Sequence, residues 1–102
     1  MDSTKNKRNR VKSNTVGKIV LSRKDRVNKR NILLVTRYYY WSEIRRLRFD
    51  DVLEILSTRE FFVESRTITN ALLDYSNYLS ELCKKKTTGK ELKKEFPGWN
   101  WN

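Results

Sequence analysis

Apolar residues recur at helical spacing in the first half of the chain. Between residues 25 and 47 they follow one another at steps of four, three and three, at Leu34, Tyr38, Trp41 and Ile44. This spacing predicts a first helix from about Asp25 to about Leu47. No glycine or proline occurs between residues 18 and 88, which argues against a set of tight β-hairpins. The pattern therefore predicts an all-α fold.

A second helix is expected after a short break. Asp50 is its predicted N-cap, and Asp51 and Glu54 would place negative charge where the helix dipole favours it. One face is apolar, because Ile55 and Leu56 follow Val52 by three and four positions. We expect this helix to end between Thr58 and Glu60.

The longest apolar pattern begins after Ser65, which is the predicted N-cap of a third helix. It proceeds by steps of four, three, four and three through Ile68, Leu72, Tyr75, Leu79 and Leu82. This seam predicts one helix to about Lys86, roughly 30 Å long. Either the first helix and the C-terminal tail bury the seam, or it pairs with its copy in a homodimer, since a core stripe and a short coiled-coil seam look alike over this length.

Polar side chains open the third helix and are predicted to point away from the seam. They are Arg66, Thr67, Thr69 and Asn70. In a helix-turn-helix protein the first turns of the second helix enter the major groove, where arginine bonds guanine and asparagine bonds adenine. The connection between Leu56 and Val63 is longer than the tight turn of the best-known repressors and lacks a glycine. A looser tri-helical variant and a simple helical hairpin both stay open.

Residues 87–102 are expected to form a short helix and an aromatic tail. Thr88 and Glu91 have the spacing of a capping box. Trp99 and Trp101 would leave a large apolar surface in water if the tail were solvated. We expect the tail to fold back onto the body; a protein or dimer contact and stacking on exposed bases are the alternatives.

The formal charge of +11 is concentrated at one end of the chain. Residues 1–30 contain 11 basic and two acidic side chains, whereas residues 31–102 contain 12 and 10. Residues 1–18 have few large apolar side chains to offset the entropy of ordering, so we expect a disordered arm. This arm either serves only as a solubility tail or lies along the phosphates of a nucleic acid. Its candidate phosphate contacts are Lys5, Lys7, Arg8, Arg10, Lys12 and Lys18.

The division predicted from these patterns is a basic flexible arm over residues 1–18, a helix-turn-helix domain over 19–86, and a short helix with an aromatic tail over 87–102. The fold class is thus all-α, with a tri-helical helix-turn-helix core.

Composition argues for a binding protein rather than an enzyme. The 102 residues include no histidine and a single cysteine, Cys83. Histidine-dependent nucleophiles, imidazole zinc sites and cysteine-rich metal sites are excluded, and no cofactor motif occurs. Asp50, Asp51 and Glu54 are interpreted as helix-start residues rather than metal ligands. No apolar run approaches the roughly 20 residues of a membrane span. The sequence is typical of a reducing cytoplasm.

Three strings of the chain resemble the small helix-turn-helix proteins of bacterial mobile elements, which are often catalogued as transposase-like. They are RYYYW at 37–41, RLRFDDVLEIL at 46–56 and FFVESRTI at 61–68, and LKKEFPGW at 92–99 is similar too. The resemblance implies double-stranded DNA as partner, contacted by the helix that opens at Ser65, in a nucleoid-associated regulator or accessory factor. Strand transfer is not implied, because a metal-dependent transposase domain needs a much longer chain.

Two other classes of function stay open. A small protein-binding adaptor or inhibitor would use the aromatic block Tyr38–Trp41, or Trp99 with Trp101, as its anchors. An RNA-binding protein would thread its basic arm between RNA helices, although no RNA-binding module is recognisable in residues 31–102. A recombinase or other protein partner, and a homodimer, are compatible with each class. Neither a membrane nor a small-molecule substrate is expected.

Overall fold

The computed structural model describes residues 22–102, and the regular secondary structure of this part of the chain is helical, without a strand. Its five α-helices are α1 (Arg23–Tyr39), α2 (Phe49–Ile55), α3 (Ser65–Asp74), α4 (Ser76–Lys85) and α5 (Gly89–Glu95). The all-α prediction is confirmed for these residues. The predicted arm over 1–18 lies outside them.

Helix α1 has a side-chain cap at its start and is followed by a π-helical turn at its end. The Ser22 hydroxyl accepts a hydrogen bond from the backbone N–H of Asp25 at 3.1 Å. Beyond α1 the chain makes one π-helical turn, Tyr40–Ile44, which the N–H of Arg45 closes on the carbonyl of Tyr40 at 2.9 Å. The helical run therefore stops three residues before the predicted end at Leu47.

Helix α2 starts two residues earlier than predicted. Arg48 is its N-cap residue, with extended backbone and no side-chain cap bond. The prediction of Asp50 as N-cap is wrong, because Asp50 already lies in the first helical turn, where it still complements the helix dipole. A second π turn, Leu56–Glu60, extends the run to Glu60, as expected.

The single long helix predicted from Ser65 to Lys86 is wrong, because the chain breaks at Tyr75. That residue leaves helical geometry with φ −112° and ψ 31°. Its hydroxyl donates to the Asn28 side-chain carbonyl at 3.2 Å, near the start of α1. Three residues later the Tyr78 hydroxyl pairs with that of Thr36 at 2.7 Å, farther along α1. Docking to two separate places on α1 thus overrides the continuous seam.

The first three helices share one core. Its fully buried members come in pairs from α1, from α2 with its π turn, and from α3: Leu34 and Val35, Val52 and Leu56, Ile68 and Ala71. The start of the apolar seam is therefore buried within the chain. Of the two alternatives left open by the sequence, burial against the first helix is the one observed for this part of the seam.

A second core joins the end of α1 to α4, α5 and the tail. Its buried residues are Tyr39, Tyr40, Leu82, Leu92 and Trp101. The predicted capping box is present, since Thr88 and Glu91 bond each other's backbone N–H. The Trp101 indole N–H donates to the carbonyl of Phe96 at 2.8 Å, and its side chain is buried. The tail folds back onto the body, as predicted.

Candidate nucleic-acid interface

Helix α3 presents one face to the core and the opposite face to solvent. At about 100° per residue, Arg66, Asn70 and Leu73 fall within an arc of about 60°. Ile68 and Tyr75 lie on the other side, where Ile68 is fully buried and Tyr75 packs against the core. All three residues of the outer arc are exposed. Together they form what we call the outer face of α3.

The predicted DNA-contacting residues divide into two groups. Arg66 and Asn70 are exposed, whereas Thr67 and Thr69 lie half-buried at the flanks of the outer face. The Thr69 hydroxyl donates to the backbone carbonyl of Arg66 at 3.0 Å, so it is already engaged within the helix. The structure thus brings Arg66 and Asn70 together on an accessible surface and leaves the two threonines partly covered.

Ser65 is exposed but does not cap the helix. The N-cap residue is Glu64, which has extended backbone (φ −70°, ψ 152°) and makes no side-chain cap bond. Its carbonyl accepts the N–H groups of Thr67 and Ile68 at 2.9 and 3.3 Å. The prediction of Ser65 as N-cap is wrong, because Ser65 has already entered helical geometry. Ser65 is the first residue of α3, and its side chain is exposed there.

The connection between α2 and α3 is shorter than the sequence indicated. Because the second π turn carries the helical run to Glu60, only Phe61–Glu64 separate the two helical segments. The expected long connection from Leu56 to Val63 is therefore wrong. Phe62 takes the left-handed conformation at φ 56°, which a glycine would adopt without strain. Its ring is 75% exposed.

Basic side chains lie close to the far end of α3. The hydrogen bond from Tyr75 to Asn28 ties the end of α3 to the second turn of α1. Around Asn28 the early turns of α1 expose Arg23, Lys24 and Lys29 together with Asp25, and α3 itself ends at the exposed Asp74. The candidate phosphate contacts of the arm, Lys5, Lys7, Arg8, Arg10, Lys12 and Lys18, lie outside the described residues.

The buried cation Arg37 was not predicted from the sequence. Arg37 is only 3% exposed and forms an ion pair with Glu60, with Nε 2.9 Å from Oε1. Four aromatic rings surround its guanidinium, with centroids between 4.8 and 5.3 Å from the central carbon. They belong to Tyr40, Trp41, Trp99 and Trp101. A signal did exist, because residue 37 lies within the apolar stripe, three residues after Leu34 and four before Trp41.

This aromatic cluster bears on the anchors proposed for a protein-binding adaptor. Tyr39, Tyr40 and Trp101 are buried in the second core. Tyr38, Trp41 and Trp99 are half-buried, with Trp41 donating its indole N–H to Glu60 at 3.2 Å. Most of the predicted anchor surface is therefore used inside the molecule.

A cleft of about 500 Å³ opens where the end of α1 meets α4 and α5. Glu43, Arg46, Cys83 and Lys86 are among its lining residues. Burial, and secondarily the negative charge of Glu43, raise the pKa of the Cys83 thiol. The thiol therefore stays protonated at neutral pH and is a weak nucleophile. Over residues 22–102 no three Cys, Asp or Glu side chains gather as a metal site would require.

None of the helices between residues 22 and 102 has the length and apolar character to cross a membrane. Comparison with known proteins adds no relative: no family model, curated protein or solved structure matches the chain.

Proposed function

We propose that the chain binds double-stranded DNA and places the outer face of α3 in the major groove. The observation that carries the proposal is the accessible pair Arg66 and Asn70, aligned directly opposite the core on a helix that α1 and α2 hold in place. Arginine can bond the O6 and N7 atoms of guanine, and asparagine the N6 and N7 atoms of adenine, each through two hydrogen bonds. Ser65, Thr67 and Thr69 would contribute at the rim of the same surface.

The connection between α2 and α3 supports a helix-turn-helix interpretation. Four residues, Phe61–Glu64, join the two helical segments, within the three to four residues usual for that motif. One of them, Phe62, occupies the left-handed position at which such turns often have glycine. Helix α1 packs against both segments through Leu34 and Val35. In this proposal α1, α2 and α3 form a tri-helical helix-turn-helix core.

Electrostatics supplies the second part of the proposal. Residues 1–18 would follow the phosphate backbone through Lys5, Lys7, Arg8, Arg10, Lys12 and Lys18. Phosphate contacts of this kind add affinity for any sequence and weaken steeply with salt. The exposed basic side chains of α1 near Asn28, which the Tyr75–Asn28 hydrogen bond ties to the end of α3, would add further phosphate contacts.

The biological role follows from the resemblance of the sequence to small helix-turn-helix proteins of bacterial mobile elements. We propose a regulator or accessory factor of such an element, associated with the nucleoid in the cytoplasm. A homodimer would match two half-sites about one helical turn of DNA apart.

The test is fluorescence anisotropy of the full-length chain with random-sequence duplex DNA, duplex RNA and single strands, at 50 and 200 mM salt. We expect tighter binding to duplex DNA and a salt dependence that flattens when residues 1–18 are deleted. Tighter binding to duplex RNA, or no binding to any of the three, would overturn the proposal.

Point variants then test the groove assignment on a site selected from a random duplex library. Arg66→Ala and Asn70→Ala are each expected to cost about 1–3 kcal/mol against the cognate base and to relax preference at one position. Lys93→Ala removes one exposed positive charge on α5 and is the matched control. If both α3 variants keep the affinity and preference of the unmodified chain, α3 does not read the groove.

A further inference from the structure

Leu73 is exposed in a place that folding does not explain. Its side chain is 73% accessible, and it lies on the outer face of α3, directly opposite the core. The apolar contacts that hold α3 in the fold come from Ile68, Ala71 and Leu72. Leu73 adds nothing to them, because its methyl groups stay in water.

The other two exposed large apolar residues in the described part of the chain have different surroundings. Phe49 contacts Tyr38 edge-to-face, with ring centroids 6.2 Å apart. Phe62 lies in the connection that precedes α3. Leu73 alone among these three is in line with Arg66 and Asn70, three residues after the asparagine and seven after the arginine.

We infer that Leu73 is a specificity-determining residue that contacts the C5 methyl group of a thymine, an inference that rests on the proposed function. The thymine methyl is the apolar group among the hydrogen-bonding edges of the major groove, and aliphatic side chains recognise it by contact. Arg66 would bond guanine and Asn70 would bond adenine. Leu73, on the same face, supplies the apolar surface that a thymine methyl group requires.

The geometry of α3 sets the spacing of the three contacts. Arg66 and Asn70 are separated by about 6 Å along the helix axis, and Asn70 and Leu73 by about 4.5 Å. With about 3.4 Å between base pairs, guanine and adenine contacts fall about two pairs apart, and the thymine one or two pairs farther on. The three contacts thus fit within about four base pairs.

The surroundings of Leu73 favour DNA over an apolar protein surface. Tyr75, two residues later, is hydrogen-bonded to Asn28, and the turns of α1 around Asn28 expose Arg23, Lys24 and Lys29. The three basic side chains outnumber the exposed Asp25 and Asp74 near this end of α3, and would meet the phosphates that flank a groove. Arg66 and Asn70 make the rest of the outer face polar, and both side chains can bond base edges in the major groove.

The experiment is a double-mutant cycle on the selected duplex site. Each thymine is replaced in turn by uracil, which removes the C5 methyl and leaves the hydrogen-bonding edge intact. We expect one position at which uracil weakens binding of the unmodified protein about fourfold, the usual effect of one buried methyl group. Leu73→Ala should bind the thymine site more weakly and should no longer distinguish thymine from uracil there.

Two controls separate the methyl contact from other effects. Leu73→Met keeps an apolar side chain and should keep the preference for thymine. Phe62→Ala removes another exposed apolar group and should leave the thymine-to-uracil ratio unchanged. Since Leu73 and Phe62 are largely exposed, we expect all three variants to fold, and circular dichroism checks this.

The outcomes distinguish this inference from the proposed function. If the protein selects a duplex site but Leu73→Ala keeps the thymine-to-uracil ratio at every position, Leu73 does not contact a methyl group and only this inference fails. The same holds if no uracil substitution affects the unmodified protein. If the protein does not prefer duplex DNA at all, the proposed function fails, and this inference with it.

Discussion

Arg37 and Glu60 form an ion pair inside the protein that joins the last turn of α1 to the end of the second π turn. Their side chains are only 4% and 13% exposed, and the Nε of Arg37 lies 2.9 Å from Oε1 of Glu60. Trp41 adds an indole N–H to the same carboxylate at 3.2 Å. Removal of one charge from such a pair leaves the other buried without its counterion, which is more costly than loss of an exposed pair.

Glu60→Gln is accordingly expected to lower the free energy of unfolding by about 3 kcal/mol. The amide keeps the shape of the side chain but cannot neutralise the guanidinium of Arg37. Urea unfolding followed by circular dichroism measures the change. Glu54→Gln, on the exposed side of α2, is the matched control and should differ from the unmodified chain by less than about 0.5 kcal/mol. Equal midpoints for the two variants would contradict the role assigned to the buried pair.

Replacement of Gly89 by alanine is predicted to destabilise the fold, because the added methyl group would collide with the C-terminal tail. A Cβ atom at this position would lie 2.2 Å from the backbone carbonyl oxygen of Trp101. We expect Gly89→Ala to displace the tail, to cost about 1–3 kcal/mol, and to expose Trp101 to acrylamide quenching.

Gly98→Ala is the control for this replacement, since no atom lies within 4 Å of the corresponding Cβ position. It should leave Trp101 shielded and the stability unchanged or raised by up to about 1 kcal/mol. Equal quenching in Gly89→Ala and the unmodified chain would show that the tail does not pack against residue 89.

Phe62 offers a test of backbone strain. Its φ of 56° lies in the left-handed region, which costs a residue with a Cβ atom about 1–2 kcal/mol relative to glycine. Phe62→Gly should therefore be about 1 kcal/mol more stable than Phe62→Ala, which removes the ring and keeps the strain. Thermal unfolding of the two variants gives the comparison. An alanine variant as stable as the glycine variant would mean that residue 62 adopts another backbone conformation in solution.

The capping box of α5 predicts an unusually acidic Glu91. The backbone N–H and then the hydroxyl of Thr88 donate to its carboxylate and hold its pKa below the ordinary 4.5. Since the folded-state pKa is lowered, this stabilisation is present above the ordinary pKa and is lost as the pH falls through the lowered one.

An NMR titration of the Glu91 carboxyl carbon should report the lowered pKa directly. Thr88→Val removes the hydroxyl and should move the pKa part of the way back, because the backbone N–H remains. Thr88→Ser retains the hydroxyl and should leave the pKa where it is. A pKa of 4.5 or above in the unmodified chain would exclude the capping interaction in solution.

Local patterns in the sequence predicted those parts of the fold that depend on nearby residues. Thr88 and Glu91 are three residues apart and form the capping box as expected. The helical spacing around Leu34 identified α1. Trp101 was assigned to the interior because a solvated tryptophan leaves a large apolar surface in water.

The features that sequence reasoning missed depend on contacts distant in the chain. Periodicity carried the third helix through Tyr75, whereas the hydrogen bond of Tyr75 to Asn28, 47 positions away, accompanies a break there. The burial of Arg37 was not predicted, because arginine is rarely buried without partners. Its partner Glu60 is 23 positions away and lies in a π turn that apolar spacing does not reveal.

The same was true of the candidate site. Arg66 and Asn70 were found because polar residues opposite an apolar seam are visible in the sequence. Leu73 was missed because it lies next to Leu72 of the apolar seam, and a second leucine there is expected to be buried. Only the structure shows that Leu73 is exposed.

The enclosure of Arg37 also depends on two segments of the chain that are synthesised at different times. Its first partner, Glu60, emerges from the ribosome well before Asn100, whose carbonyl accepts a hydrogen bond from Arg37 across 63 positions of sequence. At about 5–20 residues per second, the ribosome needs a few seconds to translate the intervening stretch. The core shared by α1, α2 and α3 can therefore assemble first, with the guanidinium paired to Glu60 and still open to water on the side that Trp99 and Trp101 later close.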